Sequence, residues 1–118
     1  MNVYDQVHVL AAVLKRCDEY KAYCTARDEA FKSEQNVKLV KSFKKKQFQA
    51  QAAALSGEKV DDNTMEELKR MTSVMQFNKE VSEFMAAEYR MNQMMGDVFK
   101  ILGEAVDLDM DFMNDKES

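Results

Sequence analysis

"VSEFMAAEYRMNQMMGDVFKIL", residues 81–102, decides the fold. Val81, Phe84, Met85, Glu88, Met91, Met95, Val98 and Leu102 follow one another mostly at intervals of three or four, so they share one face of an α-helix. Seven of the eight are apolar, and Glu88 stands among them as the exception. This is the longest and clearest of the helices that the pattern predicts.

A second long helix is predicted over about residues 37–55, closed by Ser56 and Gly57, glycine being suited to the left-handed position that ends many helices. Its seam starts with Val40 and Phe43 and then passes through Gln47 and Gln51. A fourth helix is expected to open at Asn63, with Glu66 three residues on in a box-like arrangement. It carries Met65, Leu68, Met71, Val74 and Met75, and an interruption around Phe77 and Asn78 kinks it or divides it from the fifth. The short polar loop "EKVDDN" between the third and fourth helices predicts a long antiparallel hairpin, the third helix against the fourth and fifth. Such pairing brings Glu88 towards Gln47 and Gln51. A carboxylate that accepts amide N–H bonds is satisfied when half-buried, so the expectation is a polar layer fixing helix register. Placement at the edge of the seam, in contact with water, is one alternative, and a ligand or catalytic site centred on Glu88 is the other, though one acid among amides has neither nucleophile nor base partner.

Working outward, an apolar stripe of Val3, Val7, Leu10, Ala11 and Leu14 predicts a first helix over about residues 2–16. The next begins near Asp18 as N-cap, with Tyr20, Tyr23, Cys24 and Phe31 as its stripe and Arg27 laying its stem along the core edge. "SEQN" breaks the pattern, with Asn36 as the expected cap of the third helix. The chain of 118 residues has no proline and three glycines, which argues against a sheet protein with its frequent turns. The expectation is therefore an all-α fold of about five helices, two shorter N-terminal ones packed on a long antiparallel helical hairpin. Residues 1–106 form a single helical domain, and residues 107–118 an acidic tail expected to fray.

Composition excludes several classes of function. No apolar stretch approaches the roughly 18 residues that span a bilayer, and the N-terminus has no secretory cleavage pattern, so a cytoplasmic location is expected. Cys17 and Cys24, about 10 Å apart on a continuous helix, are too distant for a disulfide and read as small core-filling thiols. With one histidine, His8, and no Cys-x-x-Cys, no metal site is expected, and neither a phosphate-binding glycine loop nor a nucleophile elbow is present. "DLDMDF" at residues 107–112 imitates the start of an EF-hand but puts Phe112 where that loop needs glycine. No catalytic residue emerges.

Charge is segregated. Between Gln35 and Gly57 stand Lys38, Lys41, Lys44, Lys45 and Lys46 and no acid, whereas from Glu104 onward six acids face only Lys116. The lysine face reads as a solvated face or a docking surface for an acidic protein segment, with RNA as the alternative partner and the acidic tail as a shield. Methionines crowd the C-terminal half. Core filling is their default role, but Val74, Met94, Met95 and Phe99 would cover more of the helix circumference than one partner helix can bury, which predicts a homodimer or another protein contact, with Met91, Met94, Met95 and Phe99 as its surface.

"NVYD" at the start, Glu19-Tyr20, the Phe43, Gln47, Gln51 spacing, Ser56-Gly57 and "AEYRMNQMM" from Ala87 together resemble the YlbF/YheA/YmcA family of small bacterial helical proteins. The likeness covers roughly residues 2 to 105 and is closest to the YheA-like branch. The resemblance implies an all-helical dimer and a regulatory role: some relatives govern competence, sporulation and biofilm formation in complexes associated with an mRNA-processing ribonuclease. Members that hold iron–sulfur clusters use cysteines near their C-termini. This chain has none after Cys24, so no cofactor is expected. Phe43, Gln47, Gln51 and Glu88 match the family pattern by position, with no catalytic residue carried over. The reading is a non-enzymatic regulator or adaptor acting through protein–protein contacts.

Overall fold

A computed structural model describes residues 2–107, arranged as five helices: α1 (Val3–Arg16), α2 (Asp18–Ala30), α3 (Glu34–Leu55), α4 (Asp62–Gln76) and α5 (Lys79–Val106). Residues 108–118, which hold most of the expected acidic tail and of the EF-hand-like run, lie outside the described residues.

Short side chains set the helix starts, and three of them differ from expectation. Asp18 is the first residue of α2 and not its cap. The cap position falls to Cys17, whose extended backbone (ψ 157°) ends one helix and begins the next without a side-chain bond. Helix α3 starts at Glu34 because the Ser33 hydroxyl accepts the Asn36 backbone N–H at 3.3 Å. In α4 the cap is Asp61, whose carboxylate accepts the Asn63 N–H at 3.3 Å, leaving Asn63 inside the helix. The Ser33 and Asp61 caps each satisfy an amide that helical geometry leaves without a carbonyl partner. At the other end of α3, Gly57 adopts φ 83° with open space around its Cα, so backbone conformation and not crowding is what demands glycine there.

Released from capping, Asn36 joins three helices. Its side-chain amide donates to the Ala30 carbonyl at the end of α2 (2.9 Å), and its Oδ1 accepts from the Asn78 amide (2.7 Å). Asn78 in turn caps α5 by accepting the Val81 N–H at 3.0 Å. The α2–α3 and α4–α5 chain reversals are thus tied together at one end of the molecule.

From that end α3 and α5 set out in the same direction, since Asn36 meets Asn78 and, further along both helices, Lys44 pairs with Glu88. Helix α4 runs the opposite way, with Lys46 bonded to Glu67. On one continuous rod Glu67 and Glu88 would stand about 32 Å apart, too far to reach lysines two residues apart on α3. The chain therefore folds back at Phe77–Asn78. The long hairpin expected of α3 with α4 and α5 is realised as an α3–α4 hairpin only, and α5 lies antiparallel to α2, as Cys17 against Met94 and Phe31 against Phe84 show.

The core is small: Ala30, Val40, Phe43, Met75, Val81 and Phe84 form one buried cluster, flanked by Tyr23, Phe31, Leu39, Leu68 and Met71. Phe84 is its hub. The ring is 1 % exposed, with Phe31 at 5.1 Å and Tyr23 at 5.7 Å between centroids and the Lys44 ammonium 5.5 Å from its face. The Arg27 guanidinium lies over the Tyr23 ring at 5.5 Å, with its Nε 3.7 Å from an Asp28 carboxylate oxygen. The chain is flat, 50 × 39 × 16 Å, and its radius of gyration is 17.8 Å. A compact domain of this length has a radius of gyration of about 13.5 Å, so much of the surface belongs to arms and not to a closed globule.

Truncating Phe84 to alanine is expected to cost about 3–5 kcal/mol in denaturant unfolding. Asn36→Ala is expected to cost about 1–3 kcal/mol by stranding its partners. Because Asn36 and Asn78 share a bond, the double alanine variant should cost less than the sum of the two single variants; strict additivity would show that the two reversals are not coupled.

Candidate interaction surfaces

Successive helical residues are turned by about 100°, so three consecutive lysines cannot share a face. The structure divides the lysine run accordingly. Lys44 points along the α5 side and pairs with Glu88, whose side chain is 17 % exposed. Lys46 points to the α4 side, its ammonium 2.6 Å from the Glu67 carboxylate. Lys38, Lys41 and Lys45 face outward, and among the described residues no carboxylate lies within ion-pair distance of them. Spaced three and four apart, they continue into Phe48 (70 % exposed), Ala52 and Leu55 (89 % exposed). The outer side of α3 is thus one seam, basic in its first half and apolar in its second.

Gln47 and Gln51 are exposed in this chain, and the acid expected to answer them is bonded to Lys44 instead. The polar layer of Gln47, Gln51 and Glu88 is therefore not assembled within one chain. The reason is topological: the reversal at Phe77 puts α4 where the hairpin expectation put α5, and α5 approaches α3 from the side that carries Lys44. A ligand site at Glu88 would have to break this pair. A cleft of about 200 Å³ between α3, α4 and α5 is lined by Phe43, Thr72, Met75, Gln76, Ser82 and Met85, and does not include Glu88.

The second surface is apolar. The α5 seam is buried at Val81, Phe84 and Ala87 and half-buried at Met91, Met94, Met95 and Val98, then emerges at Phe99 (62 % exposed), Leu102 and Val106. Met94 touches the Cys17 thiol, sulfur to sulfur 3.8 Å, at the joint of α1 and α2. Cys17 and Cys24 are free and half-buried. No residue of α1 is buried, and Val3, Val7, Val9 and Val13 are exposed, as is His8. Among the described residues no three His, Cys, Asp or Glu side chains converge to hold a metal ion, and no helix is long and apolar enough to cross a membrane.

The Lys46 hydrogen bond and charge hold the Glu67 carboxyl below the usual carboxylate range. A carboxyl with a depressed folded-state pKa contributes stability above its unfolded pKa and loses it as pH falls through the folded one. Unfolding followed from pH 7 down to pH 2 should therefore show an acid-side loss of stability that is smaller in Glu67→Gln than in the parent chain. An identical acid limb in both would show that the pair carries no linkage.

The family described as control of competence regulator ComK, YlbF/YmcA, matches residues 3–107. A UPF0342 protein of Clostridium tetani is 37 % identical over 116 residues, which cover 98 % of this chain and 100 % of that one. A UPF0342 protein of Symbiobacterium thermophilum is 34 % identical over 110 residues, 93 % of this chain and 98 % of that one. The fold is similar to that of a protein of unknown function (DUF964) from Bacillus stearothermophilus, with a TM-score of 0.74 at 13 % identity, over 89 % of this chain and 92 % of that one. With a family match running the length of all five helices, the chain belongs to the YlbF/YmcA family.

Proposed function

We propose that this chain is a non-enzymatic cytoplasmic regulator or adaptor that works as a homodimer through protein–protein contacts. The observation that carries the reading is the α5 seam, which keeps its apolar pattern to its end and leaves Phe99, Leu102 and Val106 exposed, while the first helix has no buried residue. Contiguous apolar surface of this kind is normally covered by another protein. A second copy covers this face, and the dimer presents the outer seam of α3 to a regulatory partner. The family's description, control of a competence regulator, supports a regulatory role, and an mRNA-processing complex is the class of partner that the resemblance suggests.

RNA bound along Lys38, Lys41 and Lys45 is the second reading, favoured by the absence of acidic partners for those three side chains among the described residues. It requires binding that weakens steeply with salt and disappears in Lys41→Glu/Lys45→Glu.

Sedimentation equilibrium is expected to give a dimer for the parent chain and a monomer for Phe99→Glu/Leu102→Glu, with the parent's thermal stability falling on dilution. A parent that sediments as a monomer at every concentration overturns the dimer. The adaptor reading is tested by affinity capture with crosslinking from the native cytoplasm: recovery of the chain alone, in repeated captures, overturns it.

A further inference from the structure

Lys38, Lys41, Lys45, Phe48, Ala52 and Leu55 follow one another along α3 at intervals of three, four, three, four and three. That is the spacing of the two inward positions of a heptad, through which α-helices interlock side by side. All six residues are exposed, on the side of α3 opposite the buried Val40 and Phe43. At 1.5 Å per residue the row is about 25 Å long, which matches a facing helix of about 18 residues. The small side chain of Ala52 leaves room for a close approach in the apolar half. The surface thus has the geometry to receive one helix.

Its charge says which helix. Lys38, Lys41 and Lys45 fill one half of the row, and among the described residues no carboxylate lies within ion-pair distance of them. Lysine at an inward heptad position weakens pairing unless the facing helix answers it, so it selects the partner. A matching helix sets acids opposite the three lysines and apolar side chains opposite Phe48, Ala52 and Leu55. A second copy of α3 does not match. Side by side in parallel it sets lysine on lysine, and in antiparallel each lysine half falls on an apolar half. An offset that pairs only Phe48 to Leu55 overlaps by about 10 Å, far short of the roughly 800 Å² per partner of a stable interface. RNA matches half of the row: its phosphates suit the lysines, but they leave Ala52 and Leu55 uncovered, and α3 has no arginine to grip them in a fork.

We propose that the outer seam of α3 is the docking site for one amphipathic helix of another protein, with acids along one half of its contact face and apolar residues along the other. The inference rests on the adaptor reading and deepens it by naming the partner's chemistry.

Fluorescein-labelled synthetic helices of about three heptads, titrated with the purified full-length chain, test it by anisotropy. Two peptides carry leucines and glutamates in separate halves of the contact face, one in each order, to suit either helix direction. A third has the same composition with the two alternating. At least one segregated peptide should bind about tenfold or more tightly than the alternating isomer, and more weakly at about 0.5 M salt. Lys41→Glu/Lys45→Glu should lose that peptide and bind instead its counterpart with lysines in place of glutamates. Phe48→Gln/Leu55→Gln should also lose the peptide, with sedimentation unchanged from the parent. All four residues are exposed, so both variants should keep the parent's circular dichroism. Equal binding of the three peptides, no binding of either segregated one at millimolar concentration, or binding undiminished in the variants overturns the proposal. Oligouridylate held more tightly than either segregated peptide gives the seam to RNA, and a change in sedimentation of Phe48→Gln/Leu55→Gln gives it to a second copy; either result overturns the proposal. Native capture separates the two readings. A captured partner without peptide binding overturns this inference alone, whereas capture of the chain alone overturns the adaptor reading and this inference with it.

Discussion

The hydrogen bond between Asn36 and Asn78 holds the two chain reversals of this molecule together, and the directions of all the longer helices follow from it. Asn36 is fixed by the end of α2 through the Ala30 carbonyl, and Asn78 by the first turn of α5 through the Val81 amide. Both side chains are half-buried, where an amide left without partners costs more than the bond itself contributes. The node therefore acts as a constraint: α2 and α3 must diverge, and α4 and α5 must diverge, from the same corner. Once that is so, α5 finds its partner in α2, α4 finds its partner in α3, and Phe84 is enclosed where the two pairs meet.

This arrangement explains why the chain has so small a core. Two helix pairs that share one corner close over each other only near that corner, and burial is concentrated at Ala30, Val40, Val81, Phe84 and Ala87. Farther out, α1 and the last turns of α5 keep their apolar pattern with less to cover it. Ion pairs take over part of the role of packing. Lys44 and Lys46 tether α3 to α5 and α4 with charges that stay in contact with water, a modest contribution for each but one that sets which way the helix is rotated. The rotation in turn decides which lysines remain outside.

Much of the fold was legible in the sequence because helical periodicity is a local signal. The five helices, the break at Phe77, the glycine that closes α3 and the α5 seam all follow from spacing and from the conformations that single residues prefer. Helix starts were less legible. Ser33, Asp61 and Cys17 took cap positions assigned to Asn36, Asn63 and Asp18, because several eligible side chains stand side by side there and the winner depends on what each can do elsewhere. Asn36 was drawn to Asn78, forty-two residues away. Gln47 and Gln51 show the same limit: their place on the seam was readable, but the helix that would face them was not.

By itself the sequence determined an all-helical chain, its segments, its segregated charges and its likeness to a family, since each is a property of neighbouring residues or of residue order. Only the tertiary structure decided that α5 turns back onto α2, that Glu88 answers Lys44, and that three lysines of five stand free of acids among the described residues. Those outcomes depend on the angle at one reversal and the rotation of one helix. Both are set by bonds between residues far apart in the chain, which no local pattern encodes.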